Sequence, residues 1–493
     1  MASRFPPGCF TMPARLLPDR ILLPLIVACA LFMENLDSTV LATALPTIAR
    51  DFGVSPINLK LALTSYLLTI AIFIPASGWL ADRFGARTIF RLALVTFTVG
   101  SICCGLSHSI GEIVASRILQ GLGGAMMVPV GRLVILKSVS KSELVGALAW
   151  LTVPALIGPV VGPPLGGFIT TYFDWRWIFW INVPIGILGF VLATLFVPDI
   201  RGEERVRFDY PGFMLSSFGI AGFVTGSTSL GLNLMPWPYV VGLLLGGGAL
   251  LVTYVFYSRR IANPILDLSL FAIPSFRASV IGGLLFRIGI GAMPFLLPLM
   301  LQLGFGLSPF QSGSITFVSA IGAIAMKFVA PPLLRRFGFR SVLIANSVIA
   351  AIFIGMPAIF DIGTPMHMIT GLLFVGGFFR SLQFTSANAL SFADVPQARM
   401  SRATSLTSVF QQLSMSIGIS VGAIALEMSL AHTGGTITVA TFHPAFIAIG
   451  LISMSSVFFF MKMPRNAGEE MSGRRLKPKT LAPDPVTAMR ERA

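Results

Sequence analysis

The chain has 493 residues, of which 55% are hydrophobic and 11% are charged, and its mean hydropathy is +0.84. Soluble globular proteins carry about 25% charged residues, so this composition excludes a water-facing surface and predicts one that faces lipid. The net charge of +15 does not indicate nucleic-acid binding, because the basic residues form short clusters between apolar stretches.

The sequence contains fourteen apolar stretches of the length that a transmembrane helix needs, about 20 residues. Lys and Arg mark cytoplasmic loops. One alternate set of loops is rich in them, and Arg132, near the end of the fourth predicted helix, is counted with this set. The other set holds only Arg50, Lys60 and Arg176. This bias places both termini in the cytoplasm and requires an even number of helices. In chain order, the predicted helices cover residues 21–44, 59–80, 89–107, 110–135, 145–171, 177–197, 211–232, 238–257, 278–303, 309–333, 341–359, 366–391, 403–430 and 441–462.

The two ends of the chain are polar. Residues 1–20 are interpreted as a cytoplasmic tail, and residues 464–493 as a disordered cytoplasmic tail. The first helix is expected to be retained. Of two Ala-x-Ala sites, the one at 28–30 leaves a short apolar core, and the one at 42–44 ends a full span that carries two acids. The four cysteines show neither metal spacing nor a disulfide framework, so we expect no metal and no cofactor.

Two acids lie inside the first predicted helix. Glu34 and Asp37 are three positions apart, so they share a helix face. Carboxylates inside a membrane helix are unfavourable unless they face a cavity or a partner. Either one is therefore a candidate proton carrier. The alternative is a structural pair that is hydrogen-bonded to a neighbouring helix.

The turn after the second predicted helix combines glycines with charges. A glycine permits a tight turn, and the acid and the arginines can pair and cap neighbouring helix ends. The pattern predicts a breakable cytoplasmic gate, although an ordinary basic loop is the simpler alternative. The gate residues are Gly78, Asp82, Arg83, Gly85 and Arg87.

Part of this turn recurs later in the chain. The pattern Arg-Phe-Gly-x-Arg begins at Arg83 and again at Arg336, 253 residues further on. That spacing exceeds the length of six spanning helices with their loops by the length of about two helices. We therefore expect an N-terminal six-helix bundle over 21–200, two inserted helices over 211–257 and a C-terminal six-helix bundle over 278–463.

The fourth predicted helix buries a cation, Arg117, several residues inside the membrane. It requires an acidic or carbonyl partner, and Glu34 or Asp37 is a candidate. Gln120 lies on the same helix face. A purely structural pair is the alternative.

The fifth predicted helix carries a stripe of glycines at every fourth position. Such a stripe permits close helix approach, and the prolines between the glycines bend or break a helix. We interpret it as a hinge or a sealing surface between the bundles, with a packing groove as the alternative. The residues concerned are Gly158, Pro159, Gly162, Pro163, Gly166 and Gly167.

Four of these segments, in this order, resemble the major facilitator superfamily: the two acids of the first helix, the glycine-rich turn, the Arg117 segment and the glycine stripe. The glycine-proline segment is similar to its antiporter motif. Asp37-x-Thr39, the two extra helices and the segment 175–186 (Trp-Arg-Trp-Ile-Phe-x-Ile-Asn-x-Pro-x-Gly) are similar to its fourteen-helix drug:proton antiporter-2 branch. The resemblance covers nearly all of residues 20–463. It implies a major facilitator fold in a bacterial inner membrane and proton-coupled antiport, with Asp37 and Arg117 in coupling and Asp82 in the cytoplasmic gate.

The sequence departs from this branch at three positions. Ala42 stands where Asn is usual, and Glu34 is an added acid. In the loop of the second half, Arg335 stands where the first repeat has Asp82. The second loop is therefore expected to pair differently from the first.

The C-terminal half contains three cations within predicted helices, namely Arg287, Lys327 and Arg380. Unpaired cations that face one cavity would form an anion site; pairing with helix-end carbonyls is the alternative. Neutral side chains expected to share the cavity are Gln120, Gln383, Asn388, Gln411 and Gln412.

Two export hypotheses follow. The resemblance, the 41 Phe residues and the two acids of the first helix favour proton-coupled multidrug efflux by alternating access. The three cations favour export of organic anions, such as citrate or a metal–citrate complex.

A third class, a non-transporting sensor or receptor, would need an appended soluble domain. The sequence lacks a nucleotide-binding loop and a catalytic set of residues, so we expect no enzyme. The expected partners are a small-molecule substrate, protons and the lipid bilayer, with the chain as a monomer.

Overall fold

A computed structural model describes residues 19–54, 56–202, 206–232, 235–433 and 436–472, and its regular elements there are all helices. Apolar side chains dominate each spanning helix. Helices suit a lipid environment because an internally hydrogen-bonded helix satisfies its own backbone there. Large apolar side chains also cover the outside, as at Leu245, which is 70% exposed. These features fit the all-α membrane protein that the sequence predicts.

The first eight spanning helices include two that are interrupted. In α2, a 3-10 turn at Ile74–Ala76 separates two helical pieces, and in α6 a single residue, Ile181, separates a short turn from the main helix. The bounds are α1 Asp19–Asp51, α2 Pro56–Phe73 with Ser77–Phe84, α3 Ala86–Gly105, α4 Ile110–Ser138, α5 Leu144–Tyr172, α6 Trp177–Trp180 with Asn182–Phe196, α7 Tyr210–Leu232 and α8 Trp237–Ser258.

The remaining helices form the second bundle. Helical residues run from Pro309 to Gly355. Gly338, with φ 75°, is not helical and divides this stretch into two helices at a sharp kink. The part before Gly338 is α10 and the part after it is α11. The other bounds are α9 Pro274–Leu299 with a π-helical extension at Met300–Gly304, α12 Met366–Ala393, α13 Met400–His432, α14 His443–Ser455 with Val457–Met461, and a short helix α15 Glu469–Ser472.

The helix count agrees approximately with the predicted fourteen. Among the described residues, 12 stretches are long and apolar enough to span a membrane, and one of them, 49 residues long, covers both α10 and α11. Helix α5 is not among the 12, although its 29 residues include no charged side chain. Counting α10 and α11 separately and including α5 gives fourteen.

The internal repeat has the same geometry in both halves. Gly85 and Gly338 occupy equivalent positions and both have positive φ, 93° and 75°, which glycine adopts without strain. The arginine two residues later donates to a backbone carbonyl at the C-terminal end of the last helix of its own bundle. Arg87 Nε donates to Val197 at 2.5 Å, and Arg340 Nη2 donates to Met461 at 2.9 Å. The tight turn and this arginine therefore join the start of the third helix to the end of the sixth in each bundle.

Helix α7 of the inserted pair lies along the seam between the two bundles. Ser217 on α7 donates to the carbonyl of Ile72 in α2, 2.5 Å, whereas Ser416 and Ser420 on α13 donate to carbonyls of α7, 3.1 and 2.8 Å. Helix α8 packs mainly against α7 and is largely exposed. The insertion thus covers one side of the bundle interface.

Residues 464–472, after α14, pack against the second bundle, where the sequence predicted disorder from 464. Met471 is 1% exposed, and Gly468 lies against Phe339 and Leu390 of the second bundle. Glu470 accepts from Lys141 of the first bundle at 2.6 Å, and this hydrogen bond lowers the pKa of Glu470. The apolar Met471 fits a pocket that the tail composition did not reveal. The rest of the tail and residues 1–18 lie outside the described residues.

Candidate transport site

Asp37 is the centre of a buried polar network in the N-terminal bundle. Its side chain on α1 is 3% exposed. Arg117 Nη1 on α4 donates to Asp37 Oδ2 at 2.5 Å. The other carboxylate oxygen, Oδ1, accepts from Gln120 Nε2 at 2.8 Å and from Asn182 Nδ2 at 2.9 Å. Four helices, α1, α3, α4 and α6, meet here, because Ser101 on α3 accepts from both amides, 3.0 and 2.9 Å.

Arg117 is nearly satisfied within the same network. Its Nη1 also donates to Gln120 Oε1, 2.6 Å, and its Nε donates to the carbonyl of Ala62, 3.2 Å. The guanidinium lies 4.1 Å from the centre of the Tyr66 ring, a cation–π contact that adds to the stabilisation. Of the two partners that the sequence offered, the structure selects Asp37. An isolated buried charge is strongly unfavourable, so the ion pair is a tightly constrained unit.

Glu34 lies one helical turn from Asp37 but outside the network. Its Oε2 atom is buried and has no hydrogen-bond partner among the described residues, as is also true of the Tyr66 hydroxyl. The two groups lie close enough for the charge of Glu34 to act on Tyr66. The two acids predicted as one pair therefore differ: Asp37 is fully coordinated, whereas Glu34 has an open acceptor.

The glycine stripe of α5 packs against α1 within the N-terminal bundle, which is the packing groove that the sequence offered as the alternative. Another side of α5 contacts the second bundle, where Trp150 lies against Phe328 of α10. A Cβ atom at Gly158 would lie 3.1 Å from Asn35 and Leu36, and one at Gly162 would lie 2.1 Å from Thr39 Oγ1. Gly167 faces open space. The helix is continuous through its prolines; the side chains of Pro159 and Pro163 lie outside the described residues, and Gly166 is buried. The stripe brings α5 close to the segment that carries Glu34 and Asp37.

The two bundles meet at the ends of α2 and α13 that the sequence assigns to the cytoplasm. The Gly78 amide donates to Ser405 Oγ at 2.9 Å, and the hydroxyls of Ser77 and Ser405 lie 2.9 Å apart. A Cβ atom at Gly78 would lie 2.6 Å from the Ser401 carbonyl oxygen, so glycine is required for this approach. The two bundles are therefore in close contact at this end in the present conformation.

Asp82 strengthens this contact by a different route from the predicted one. Its carboxylate accepts a short hydrogen bond from Ser401 of the opposite bundle and lies 3.9 Å from Lys137 Nζ. Sequence reasoning predicted pairing with the neighbouring arginines. Arg87 instead binds the Val197 carbonyl, and Arg83 is exposed. The serines of α13 are unremarkable in sequence, so this partner could not be predicted.

A cavity of about 320 Å³ lies among α9, α10, α12 and α13. Most of its wall is apolar, with Met293, Phe384 and Met415 among the larger side chains. Two cations also line it: Lys327 donates a short hydrogen bond to Thr385, and Arg380 donates one to Ser319. No acid is present among the described residues of the wall. The cavity thus combines an apolar surface with positive charge.

Other residues predicted for the cavity lie elsewhere. Gln120 belongs to the Asp37 network. Arg287 donates to Asn388 Oδ1, 2.7 Å, beside the cavity. Gln383 is buried between α11 and α12, where it accepts from Asn346 at 2.9 Å. Gln412 does not line the described cavities, and its neighbour Gln411 makes the polar contacts instead, because its side chain faces the opposite bundle.

Sequence reasoning missed several partners in these sites. Asn182 lies in the segment that resembles the antiporter branch, so its position was visible but its role was not. Ser101 and Tyr66 gave no signal, since a single Ser or Tyr in an apolar helix is common. Arg132 was assigned to a cytoplasmic loop, but it is 8% exposed and reaches Gln411.

Comparison with known proteins shows the family. The Major Facilitator Superfamily model matches residues 27–419 and 279–492. Proteins named "Putative multidrug resistance protein MdtD" from Salmonella paratyphi A and Salmonella typhimurium are 38% identical over 453 residues, which cover 90% of this chain and 95% of each relative. This confirms the likeness to the multidrug transporter D of enteric bacteria that stretches such as 75–82 and 123–132 indicate.

Solved structures agree on the fold. The human organic anion transporter MFSD10 superimposes with a TM-score of 0.64 at 14% identity, over 90% of this chain and 100% of that one. The proton:xylose symporter XylE gives a TM-score of 0.64 at 15% identity, over 92% and 98%. The family model and the relatives of 38% identity show that the chain belongs to the major facilitator superfamily and is a membrane transporter, not an enzyme.

Proposed function

We propose that this chain is a proton-coupled antiporter that exports small molecules across the inner membrane of a bacterium, with both termini in the cytoplasm. The observation that carries the proposal is the buried ion pair of Asp37 and Arg117. An intramembrane acid that holds a cation on another helix is suited to couple protonation to helix movement. The transporter fold and the family supply the rest of the argument.

The coupling step follows from the hydrogen bonds of the network. A proton that reaches Asp37 removes the charge that holds Arg117 and competes with the donors Gln120 and Asn182. Glu34 is the second candidate carrier, because its open acceptor would bind a proton without displacing a partner. Release of Arg117 would let α4 move relative to α1, which permits the return step of alternating access.

The cavity supports two substrate classes. Its apolar wall suits lipophilic drug-like molecules, in line with the multidrug name of the relatives. Lys327 and Arg380, without an acid beside them, favour an organic anion such as citrate or a metal–citrate complex. We propose drug-type export as the main function and anion export as the second candidate, because the cations give a specific reason for it.

Proteoliposomes with an internal pH dye would separate these functions. A lipophilic cation is added in one arm and citrate, free or with iron, in the other. Proton movement driven by the lipophilic cation, and lost in Asp37→Asn, would establish drug:proton antiport. Proton movement driven by citrate but not by the lipophilic cation would establish anion export, if it is lost in Arg380→Gln and retained in Arg91→Gln. Proton movement that persists in the double variant Asp37→Asn, Glu34→Gln would contradict the coupling scheme.

A further inference from the structure

A second, much smaller void lies on the cytoplasmic side of the cavity, where α4 and α5 meet α12. Its volume is about 20 Å³, and its polar lining comes from Arg132, Thr385 and Asn388. Phe384 contributes to the walls of both spaces. A space of roughly 10–15 Å³ on this measure holds one water-sized particle, so a metabolite does not fit.

One cation, Arg132, lines this void, and two more donate hydrogen bonds to the residues that line it. Thr385 and Asn388 are three positions apart on α12 and share a face. Thr385 accepts from Lys327 of α10, and Asn388 Oδ1 accepts from Arg287 of α9. Arg132 of α4 completes the group from the opposite bundle, close enough for its charge to act on Arg287. The sequence placed Arg132 with the cytoplasmic loop residues, so the arrangement arises only in the folded chain.

The partners of these cations are all neutral. Arg132 Nη2 donates to Gln411 Oε1 at 3.2 Å, and Gln411 Nε2 donates to Asn388 Oδ1 at 2.8 Å. Arg132 Nη1 and Arg287 Nη1 and Nε are buried without a hydrogen-bond partner in the described part of the chain. The Thr385 hydroxyl already accepts from Lys327, so its own proton remains available as a donor. Buried cations without an anion are strongly unfavourable.

We propose that the void binds a chloride-sized inorganic anion that joins the two bundles in the cytoplasm-closed conformation. Arg132 Nη1 and the Thr385 hydroxyl would donate to it, with the charges of Arg287 and Lys327 nearby. Opening of the cytoplasmic side separates Arg132 on α4 from α12 and takes the site apart. The anion therefore stabilises the closed conformation, since a ligand favours the state that binds it. This inference does not depend on the proposed substrate or on proton coupling.

Thermal unfolding of the purified full-length protein tests the proposal. Sodium gluconate is replaced stepwise by sodium chloride at constant ionic strength. We expect the midpoint to rise by about 2 °C or more and to saturate with chloride. Arg132→Gln should abolish the rise, whereas Arg91→Gln, a matched change at an arginine that stacks 4.8 Å from the Phe190 ring, should preserve it.

An anion series in the wild-type protein decides the matter if Arg132→Gln does not fold. Bromide should act like chloride, whereas sulfate and gluconate are too large for the void and should have no effect. A flat response to chloride would mean that the void holds water or nothing and would overturn the proposal. An equal response to sulfate, or a chloride response that persists in Arg132→Gln, would also overturn it.

Discussion

The two bundles share one repeat but bury charge in opposite ways. In the N-terminal bundle, Arg117 is paired with Asp37 at 2.5 Å within a closed network of amides and hydroxyls. In the C-terminal bundle, the described partners of Arg287, Lys327 and Arg380 are neutral oxygens of Asn388, Thr385 and Ser319. The same helical scaffold therefore supports a neutral unit on one side and uncompensated positive charge on the other.

This difference suggests a division of labour between the bundles. A closed ion pair changes only when a proton arrives, so it suits coupling. Cations with neutral partners keep an unmet electrostatic demand, so they suit the binding of something that the chain itself does not provide. Hydroxyl and amide partners orient these cations without neutralising them.

Asp37→Asn should produce the largest effect, because it breaks the N-terminal side of the comparison. The amide would place a donor against Arg117 or against Gln120 and Asn182, and a broken buried pair destabilises by about 3–5 kcal/mol. We expect proton-coupled transport in vesicles to be lost, with a lower unfolding temperature. Glu34→Gln, which removes no described hydrogen bond, serves as the milder comparison. Normal coupling in Asp37→Asn would remove Asp37 from the mechanism.

Arg380→Gln tests the C-terminal side. The substitution removes the guanidinium of Arg380, one of the two positive charges in the cavity, and leaves the apolar wall intact. We expect transport of an anionic substrate to fall by about tenfold, the effect of losing roughly 1.5 kcal/mol from a charge-assisted hydrogen bond, with little change for a lipophilic cation. Initial rates measured for both substrate types give the comparison. Equal losses for both would show that Arg380 has a structural role.

Gly78→Val acts where the two bundles meet. The added side chain would collide with Ser401 and Ser405, and overpacking of this kind destabilises by about 1–3 kcal/mol. We expect the population to shift toward a cytoplasm-open state, measurable as faster labelling of a cysteine placed at Ser408. Gly146→Val is the matched control, because nothing lies within 4 Å of a Cβ atom there. The same labelling rate in both variants would contradict the gate assignment.

Asp267→Asn should give the smallest effect and concerns a C-terminal pair that does have a carboxylate. Asp267 accepts from Arg399 at 2.6 Å and lies 3.6 Å from Arg402. Burial opposes ionisation, but hydrogen bonds from Ser269 and Arg399 lower the pKa of Asp267 overall.

A lowered pKa fixes the sign of the pH dependence. The stabilisation is present above the ordinary carboxyl pKa, about 3.9, and is lost as pH falls through the lower value of the folded state. We expect a loss of roughly 0–1 kcal/mol, because Arg399 is partly exposed even though Asp267 is buried, seen as a small fall in unfolding temperature at pH 7. The variant should match the wild type at strongly acidic pH. A difference that persists there would exclude the ion pair as its cause.

Much of the fold was predictable because membrane insertion imposes a simple code. The predicted second helix, 59–80, and sixth helix, 177–197, correspond to α2 and α6 with ends that shift by a few residues. Apolar length, basic loops and glycine turns act locally along the chain. The ordered segment after 464 was missed because its fit depends on a surface formed by distant helices.

The candidate site was predictable in its charged members and not in their partners. Glu34, Asp37 and Arg117 are conspicuous because charges are rare in apolar helices. Asn182 and Ser101 are not, since a neutral polar side chain can face lipid, a neighbour or a cavity without leaving a distinctive pattern. The glycine stripe of α5 shows the same limit: its spacing predicted close packing, but not that α1 is the partner.

The sequence by itself determined the class of protein, the approximate number and ends of its helices, the repeat and the identity of the unusual charges. Tertiary structure decided which acid holds Arg117, which serines join α13 to α2 and which cations lie near one void. The reason is physical. Helix formation and insertion depend on residues near one another in the chain, whereas pairing of buried charges depends on distances of a few ångströms between helices, which only packing sets.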